Sequence, residues 1–420
     1  MSERLSRASH PGSSAVRDRR ILHLGLGAFH RSHQAWYTAR ASDAHRWGIT
    51  AYSGRRPDAA VALQAQDGLY TLIERSENTS SAQIIDVITE AVDGADLAHF
   101  ERAMADPATA LVTLTITEAG YQQSDDSGSA VLSRLAAGIE ARRRANAGPI
   151  ALVSCDNLAD NGAVLRVALA PHLERAGVAT ARWAATEVSY VSTSVDRITP
   201  RTTPADLTAA ERLTGFHDEC AVTTEPFSDW TIQGDFPAGR PAWESAGARF
   251  VDDVEPFERR KLWLLNGAHT LLAAAGTLRG YSFVHEAFAD PLLRIWVEQF
   301  WDAACRHLPE NLGLVEYRQA LSDRFENSAI RHALDQISLG AEAKLRVRVV
   351  PVVIAELSAG RDAAAAARPI AAHLMATVPD TDTYEALQNL DVSAAPTIRP
   401  SVESALDGLR RALSEQTAAR

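Results

Sequence analysis

Ile21-Leu-His-Leu-Gly-Leu-Gly27 is an apolar run ending in two spaced glycines, and Ala28–Ser42 continues it with helical spacing. A strand that turns through glycines into a helix is how a doubly wound α/β sheet begins. The alternation recurs downstream. Trp47–Ser53, Gln83–Thr89, Ala110–Thr117 and Ile150–Ser154 read as strands, with Val131–Asn146 and Asn161–Ala176 as helices. Such alternation predicts a mostly parallel sheet covered on both faces. The pattern changes past Pro256, where Phe257–Leu278, Pro291–Cys305, Gly313–Phe325, Ser328–Leu339 and Val349–Ala359 read as helices. From Tyr384 a weaker helical tail follows, interrupted by Pro396 and Pro400. Residues 200–250, with Pro200, Pro204, Pro226, Pro237 and Pro241, read as a connecting region. The expected organisation is a loose tail over 1–20, an α/β Rossmann-like dinucleotide-binding domain over 21–250, and an all-α substrate and catalytic domain over 251–420.

Composition bounds the function. The 420 residues carry 42 Lys plus Arg against 53 Asp plus Glu, a net charge of −11. An acidic chain is a poor partner for nucleic acid, whose phosphates need a basic surface. Three dispersed cysteines, Cys155, Cys220 and Cys305, support neither a disulfide framework nor a cysteine zinc site. No apolar run reaches the roughly 20 residues of a membrane helix. Met1–Arg20 lacks the apolar segment of a secretory signal. These features predict a cytoplasmic enzyme or binding protein, monomeric or a small homo-oligomer. Only two of the cations are lysines, Lys261 and Lys344. Arginine keeps its proton in a protein, whereas lysine gives it up once burial or neighbours depress its pKa. Retained lysines are therefore candidates for proton transfer.

Several motifs could carry chemistry. Gly25-x-Gly27-x-x-His30 stands where a dinucleotide pyrophosphate meets a helix N-terminus, with His30 and then Arg31 at the usual third glycine. After the second strand, Asp58 suits the ribose hydroxyls of NAD, while Arg55 and Arg56 suit the 2′-phosphate of NADP. All three could equally be solvated loop residues. Glu258, Lys261, Asn266 and His269 share one side of an apolar helix. At about 100° per residue, Lys261 is at 0°, Glu258 near 60°, His269 near 80° and Asn266 near 140°. A desolvated lysine there can accept a proton, and an amide can donate to a developing oxyanion; a structural hydrogen-bond cluster is the alternative. Ser154-Cys-Asp-Asn157 ends a strand where α/β sheets bind ligands, although Asn157 or Asn161 could instead cap a helix. Thr117-Glu-Ala-Gly-Tyr121 ends another strand as a site or a turn. Asp196 and Arg197 read as a site or a surface ion pair. The thirteen histidines show no metal-ligand spacing.

Together these segments resemble the mannitol 2-dehydrogenase family of polyol-specific long-chain dehydrogenases. The matching stretches are Gly25–Gln34, Gln66–Leu72, Thr115–Tyr121, Ser154–Asn157 with Asn161-Gly162, Val195–Pro200, Glu225–Phe227, and Lys261-x4-Asn266-x2-His269. The resemblance implies metal-independent hydride transfer between a nicotinamide cofactor, NAD or NADP, and a secondary alcohol of a polyol or aldonate. It casts Lys261 as general acid/base, Asn157 and Asn266 as holders of the reacting oxygen, and His269 as a substrate-hydroxyl partner. Asp196 becomes a substrate-site carboxylate and Glu258 a link to proton exchange with water. Gly25, Gly27, Phe29, His30, Arg31, Asp58 and Glu118 are expected at the cofactor. The chain departs from the family pattern at Gly340-Ala-Glu-Ala-Lys344, at Tyr190–Ser194 and in a somewhat short C-terminal region. These departures leave substrate identity open, between a polyol and ketose such as D-mannitol and D-fructose, and a hexuronate with Lys344 or Arg346 facing its carboxylate. A non-catalytic dinucleotide-binding sensor is a further alternative.

Overall fold

The computed structural model describes residues 2–12, 16–77, 79–121, 126–378, 383–390 and 394–418. The chain divides into two compact units, 1–255 and 256–420. In the first unit, eight strands form one sheet: β1 (Arg19–Leu24), β2 (Trp47–Tyr52), β3 (Ile88–Val92), β4 (Thr109–Leu114), β5 (Ile150–Ser154), β6 (Val188–Asp196), β7 (Asp229–Gln233) and β8 (Arg249–Phe250). Their spatial order is 3-2-1-4-5-6-7-8. β1 to β6 are mutually parallel, and β7 is antiparallel to β6. The chain therefore winds outward from β1 to β3, then returns to β4 on the other side. That reversal, between β1 and β4, is where doubly wound sheets open a crevice for ligands.

Alternation along β1 builds two cores. Ile21 packs into one cluster, while Leu22 and Leu24 pack into the other. This is the two-residue period of a pleated strand. Phe100, Leu132, Leu135 and Leu165, from helices Leu97–Ala105, Asp126–Arg144 and Asn161–Ala176, cover the Leu22 face. Trp36, Tyr37, Trp230 and Trp243 cover the other. β4 and β5 are buried along their whole length, as central parallel strands must be.

The second unit is helical. Its main elements include Ala268–Leu278, Pro291–Cys305, Leu314–Glu326, Ala341–Arg348, Val350–Ser358, Ala364–Thr377 and Ala395–Ala418. Among the described residues no helix is long and apolar enough to cross a membrane.

Some segments differ from the expected pattern for identifiable reasons. The opening residues are not loose throughout, although 13–15 lie outside the described residues. Glu3–Arg4 pairs with Phe216–His217, Leu5 is fully buried, and Arg7 donates to the carbonyls of Asp86 and Ile88. The run Gln83–Thr89 divides at Asp86, whose carboxylate accepts from Arg17. Its first part belongs to Ser80–Ile85, antiparallel to Tyr70–Arg75; its second begins β3. Residues 200–250 are more than a connection. They supply β7 and β8, and Pro204 opens helix Pro204–Thr214 at a position that needs no N–H donor. The helix expected over 28–42 breaks at His33 (φ −119°, ψ −87°). In Ser328–Leu339 only Leu334–Ser338 is helical, because the His332 carbonyl accepts from Val284 and Phe283 bridges Ala333.

The glycine turn after β1 is stitched to both neighbouring strands. Gly25 and Leu26 donate their N–H groups to Tyr52 O at 3.1 and 2.9 Å, and Thr115 Oγ1 donates to Gly25 O at 2.9 Å. Gly25 has φ +107°, and a Cβ there would stand 2.1 Å from Thr115 O. Gly25→Ala is therefore expected to destabilise this unit by about 2 kcal/mol or more, read as a lower midpoint of its urea transition. Beneath the turn, the rings of His23 and His30 stack at 3.3 Å, both fully buried. Burial lowers His23 to about 3. Burial, then the charges of His23 and Arg31, takes His30 well below the ordinary range. Unfolded histidines titrate near ~6.5, so the unfolded chain binds more protons than the native one as pH falls. Stability should be complete above pH ~6.5 and decline below it, by up to about 1.4 kcal/mol per pH unit for each histidine. A melting temperature flat from pH 7.5 to 5 would contradict this.

Candidate active site

In the first unit, the expected site residues other than Phe29, His30 and Arg31, which lie on helix Ala28–Ser32, fall at or beyond a strand's carboxyl end. The glycine turn follows β1, Asp58 follows β2, Glu118 follows β4, Asn157 follows β5, and Asp196 closes β6. Gly25 is a glycine because of the close approach of β4. Gly27 is different: it is extended (φ −134°), and an added Cβ would meet nothing nearer than Gly25 O at 3.6 Å. The fold's own packing does not require glycine there. Backbone open to a ligand does, so the turn suits a dinucleotide pyrophosphate.

The side chains nearby divide into structural and available groups. His30, at the third-glycine position, packs its ring on His23 and so joins helix to strand rather than facing outward. Phe29 stacks on His33 at 5.1 Å. Arg31 donates to the carbonyls of Gly27 and Cys220, and its guanidinium lies over the Tyr70 ring. Asp58 and Glu118 are exposed. Asp58 pairs with exposed Arg56 at 3.6 Å, a contact water screens strongly.

Asp156, given no separate role by the sequence, and Asn161, expected as a possible helix cap but bonded instead to main chain of neighbouring strands, hold the strand ends together. The buried Asp156 carboxylate accepts from the Thr117 N–H at 2.7 Å, the Ile116 N–H at 3.1 Å and the Tyr121 hydroxyl at 2.6 Å. Burial nevertheless raises its pKa, more than these bonds lower it. The fully buried Asn161 donates to Asp156 O and Thr193 O and accepts from the Thr193 N–H. Asn161 is thus a brace across β5 and β6, while Asn157, one residue past Asp156, is exposed. Thr117 has φ +64°, rare for a β-branched residue, and the Asp156 bond helps fix it there. Strain of this kind beside exposed Glu118 is the sort that collects at working sites.

Asp196 and Arg197 are not a surface ion pair. Both are buried, and Arg197 pairs with Glu74, donates to the carbonyls of Ser32 and Glu225, and covers the Trp36 ring. Among the described residues no group of His, Cys, Asp or Glu gathers in a metal-holding arrangement.

In the second unit the expected α-helix over 257–278 changes its hydrogen-bond pattern at the candidate residues. Glu255–Arg260 is α-helical, Lys261–Gly267 is a π-helix, and α-helix resumes at Ala268. Bonding from residue i to i+5 widens the turn, so residues five apart diverge less than in an α-helix. Lys261 and Asn266, about 140° apart on an ideal α-helix, are thereby brought onto nearer faces. Both are half-buried, as is Glu258.

One turn on, His269 is buried, with its ring edge-on to His332 at 4.8 Å and against Phe325 at 4.8 Å. Burial first, then His332, Arg324 and Arg348, lower its pKa well below the ordinary value. Its Nε2 is buried with no hydrogen-bond partner among the described residues. A neutral imidazole nitrogen so placed suits a hydroxyl group. Lys344 donates to Ile337 O at 2.8 Å, its pKa lowered by burial and then by Arg348. Arg346 is exposed.

Residues 19–245 match the mannitol dehydrogenase Rossmann domain, and 253–418 match the mannitol dehydrogenase C-terminal domain. The D-arabinitol 4-dehydrogenase of Ralstonia nicotianae is 36% identical over 382 residues, covering 84% of this chain and 82% of its own. The D-mannonate oxidoreductase of Escherichia coli is 34% identical over 375 residues, covering 81% and 76%. The mannitol 2-dehydrogenase of Pseudomonas fluorescens, solved with NAD and D-mannitol, superposes with a TM-score of 0.79 at 28% identity, covering 97% and 99%. Both halves of the chain match the family, and the chain belongs to the mannitol dehydrogenase family of oxidoreductases.

Proposed function

We propose that this protein is a cytoplasmic, metal-independent dehydrogenase that interconverts a polyol such as D-mannitol and its ketose. The observation that carries the reading is the π-helical turn that brings Lys261 and Asn266 onto nearer faces of one helix. An NAD-type dinucleotide held at the glycine turn, with Asp58 at its ribose, would supply the hydride acceptor. The kinship with an NAD-bound mannitol 2-dehydrogenase supports that choice.

In the oxidation direction, uncharged Lys261 takes the hydroxyl proton while the carbinol carbon loses hydride. The C–O bond becomes a carbonyl, and the proton stays on the lysine. Asn157 and Asn266 donate to the oxygen, whose negative charge is greatest partway through the transfer. Their effect therefore falls on the barrier more than on binding. His269 Nε2 receives a neighbouring substrate hydroxyl, Asp196 a second one, and Glu258 passes the lysine's proton onward to water. In reduction each step reverses.

A hexuronate reductase is the second reading, favoured by the D-mannonate oxidoreductase among the relatives. It needs a cation for the substrate carboxylate. Arg346 is exposed and available for this, whereas Lys344 is engaged with a main-chain carbonyl.

Lys261→Ala should lower turnover by about 10²–10⁴-fold, and Lys261→Arg should fail as well because arginine keeps its proton. Near-normal turnover of either variant defeats the assignment. Purified protein assayed with NADH and NADPH should reduce D-fructose, with NADH preferred. Faster reduction of D-fructuronate would select the second reading. Cofactor binding without turnover across polyols and uronates would point to a sensor.

A further inference from the structure

The π-helical turn is fastened from outside its own backbone. Trp301, from helix Pro291–Cys305, donates its indole N–H to Leu264 O at 2.8 Å. Arg348, ending helix Ala341–Arg348, donates to Asn266 O at 3.4 Å and to Thr270 Oγ1 at 3.2 Å. Thr270 Oγ1 itself donates to Asn266 O at 2.9 Å. Two carbonyls inside the irregular turn thus take side-chain donors from two other helices. Gly267 admits the same helix closely, since a Cβ there would stand 2.5 Å from the Phe300 ring.

A π-turn is less regular than the α-helix on either side of it, and it persists where its surroundings determine it. Trp301 is fully buried and has one donor. Reverting the turn to α-helix would shift Leu264 O and leave that indole N–H without its partner, a costly state for a buried donor. It would also rotate Asn266 away from Lys261. The two consequences are coupled, because the same carbonyl ladder sets both.

We propose that Trp301 and Arg348 are positioning residues for Lys261. They hold residues 261–267 in the i to i+5 register, and that register keeps Asn266 on a face nearer to Lys261 than an α-helix would. This inference rests on the proposed role of Lys261, but it can be tested without turnover. The chain has only Lys261 and Lys344, so trace acetylation followed by mass spectrometry reads each amine separately.

The test uses the full-length protein and two variants. Trp301→Phe keeps an aromatic ring and loses the N–H. Arg348→Met keeps an unbranched apolar stem and loses the guanidinium, at a half-buried site less exposed to misfolding. The pH midpoint of Lys261 acetylation should move by about half a unit or more in each variant. In Trp301→Phe, Lys344 should not move and serves as the internal reference. Where the wild type turns over substrate, kcat should fall by about tenfold or more, and NADH affinity should stay within about twofold. Lys261 labelling that is unchanged in both variants, with kcat within about twofold, overturns the inference even if melting temperature falls. A wild type inactive on every polyol and uronate defeats the proposed function instead, and the labelling result still decides this one.

Discussion

A single irregular turn of helix sets the faces on which the candidate residues Lys261 and Asn266 stand. Residues 261–267 bond in the π pattern, and this brings an amine and an amide five residues apart onto nearer faces than an α-helix would. Neither an α-helix nor a loop would do the same. In an α-helix the two groups diverge, and a loop would not hold them against thermal motion. The turn sits between regular helical segments and is tied by an indole, a guanidinium and a hydroxyl. Rigidity is thereby concentrated beside Lys261, whose proposed role needs an oriented amine.

The first unit solves a complementary problem. Its sheet gathers the ends of β1, β2, β4, β5 and β6 along one edge. Loops that leave such an edge would be mobile if only their backbones held them. Here Asp156 and Asn161 cross-link them, with every polar atom of the Asn161 amide that bonds doing so to main chain. The strained Thr117 backbone is held within this lattice. The exposed side chains, Asn157, Asp58 and Glu118, therefore stand on a braced platform. That division of labour, buried carboxamide and carboxylate for structure and exposed neighbours for ligands, is how a strand-end site stays both ordered and open.

Most of the architecture was legible in the chain. Apolar β-branched runs such as Ala110–Thr117 announce buried parallel strands, and the glycine turn at 25–27 announces the point of reversal. The helical half followed from long Ala/Leu stretches. What could not be read was set by tertiary contact. Trp230 and Ile232 lie in a proline-rich region, and only burial between other strands makes β7 of them. The break at Asp86 depends on Arg17, sixty-nine residues earlier. The π-turn has no period of its own. Its nearest signal was Gly267, placed where another helix presses close, and the residues that fasten it are dozens of positions away. The candidate residues were readable by type because Lys261 is one of only two lysines. Separating the brace Asn161 from the exposed Asn157 required seeing which amide is buried against main chain.

The central claim is that an uncharged amine at position 261 exchanges the substrate's proton. Chemical rescue tests it most directly. In Lys261→Ala, small primary amines added to the assay should restore hydride transfer, measured as single-turnover formation of reduced nicotinamide. The restored rate should follow the concentration of the amine's free base as pH is varied. A rate that no amine changes at any pH would contradict the account.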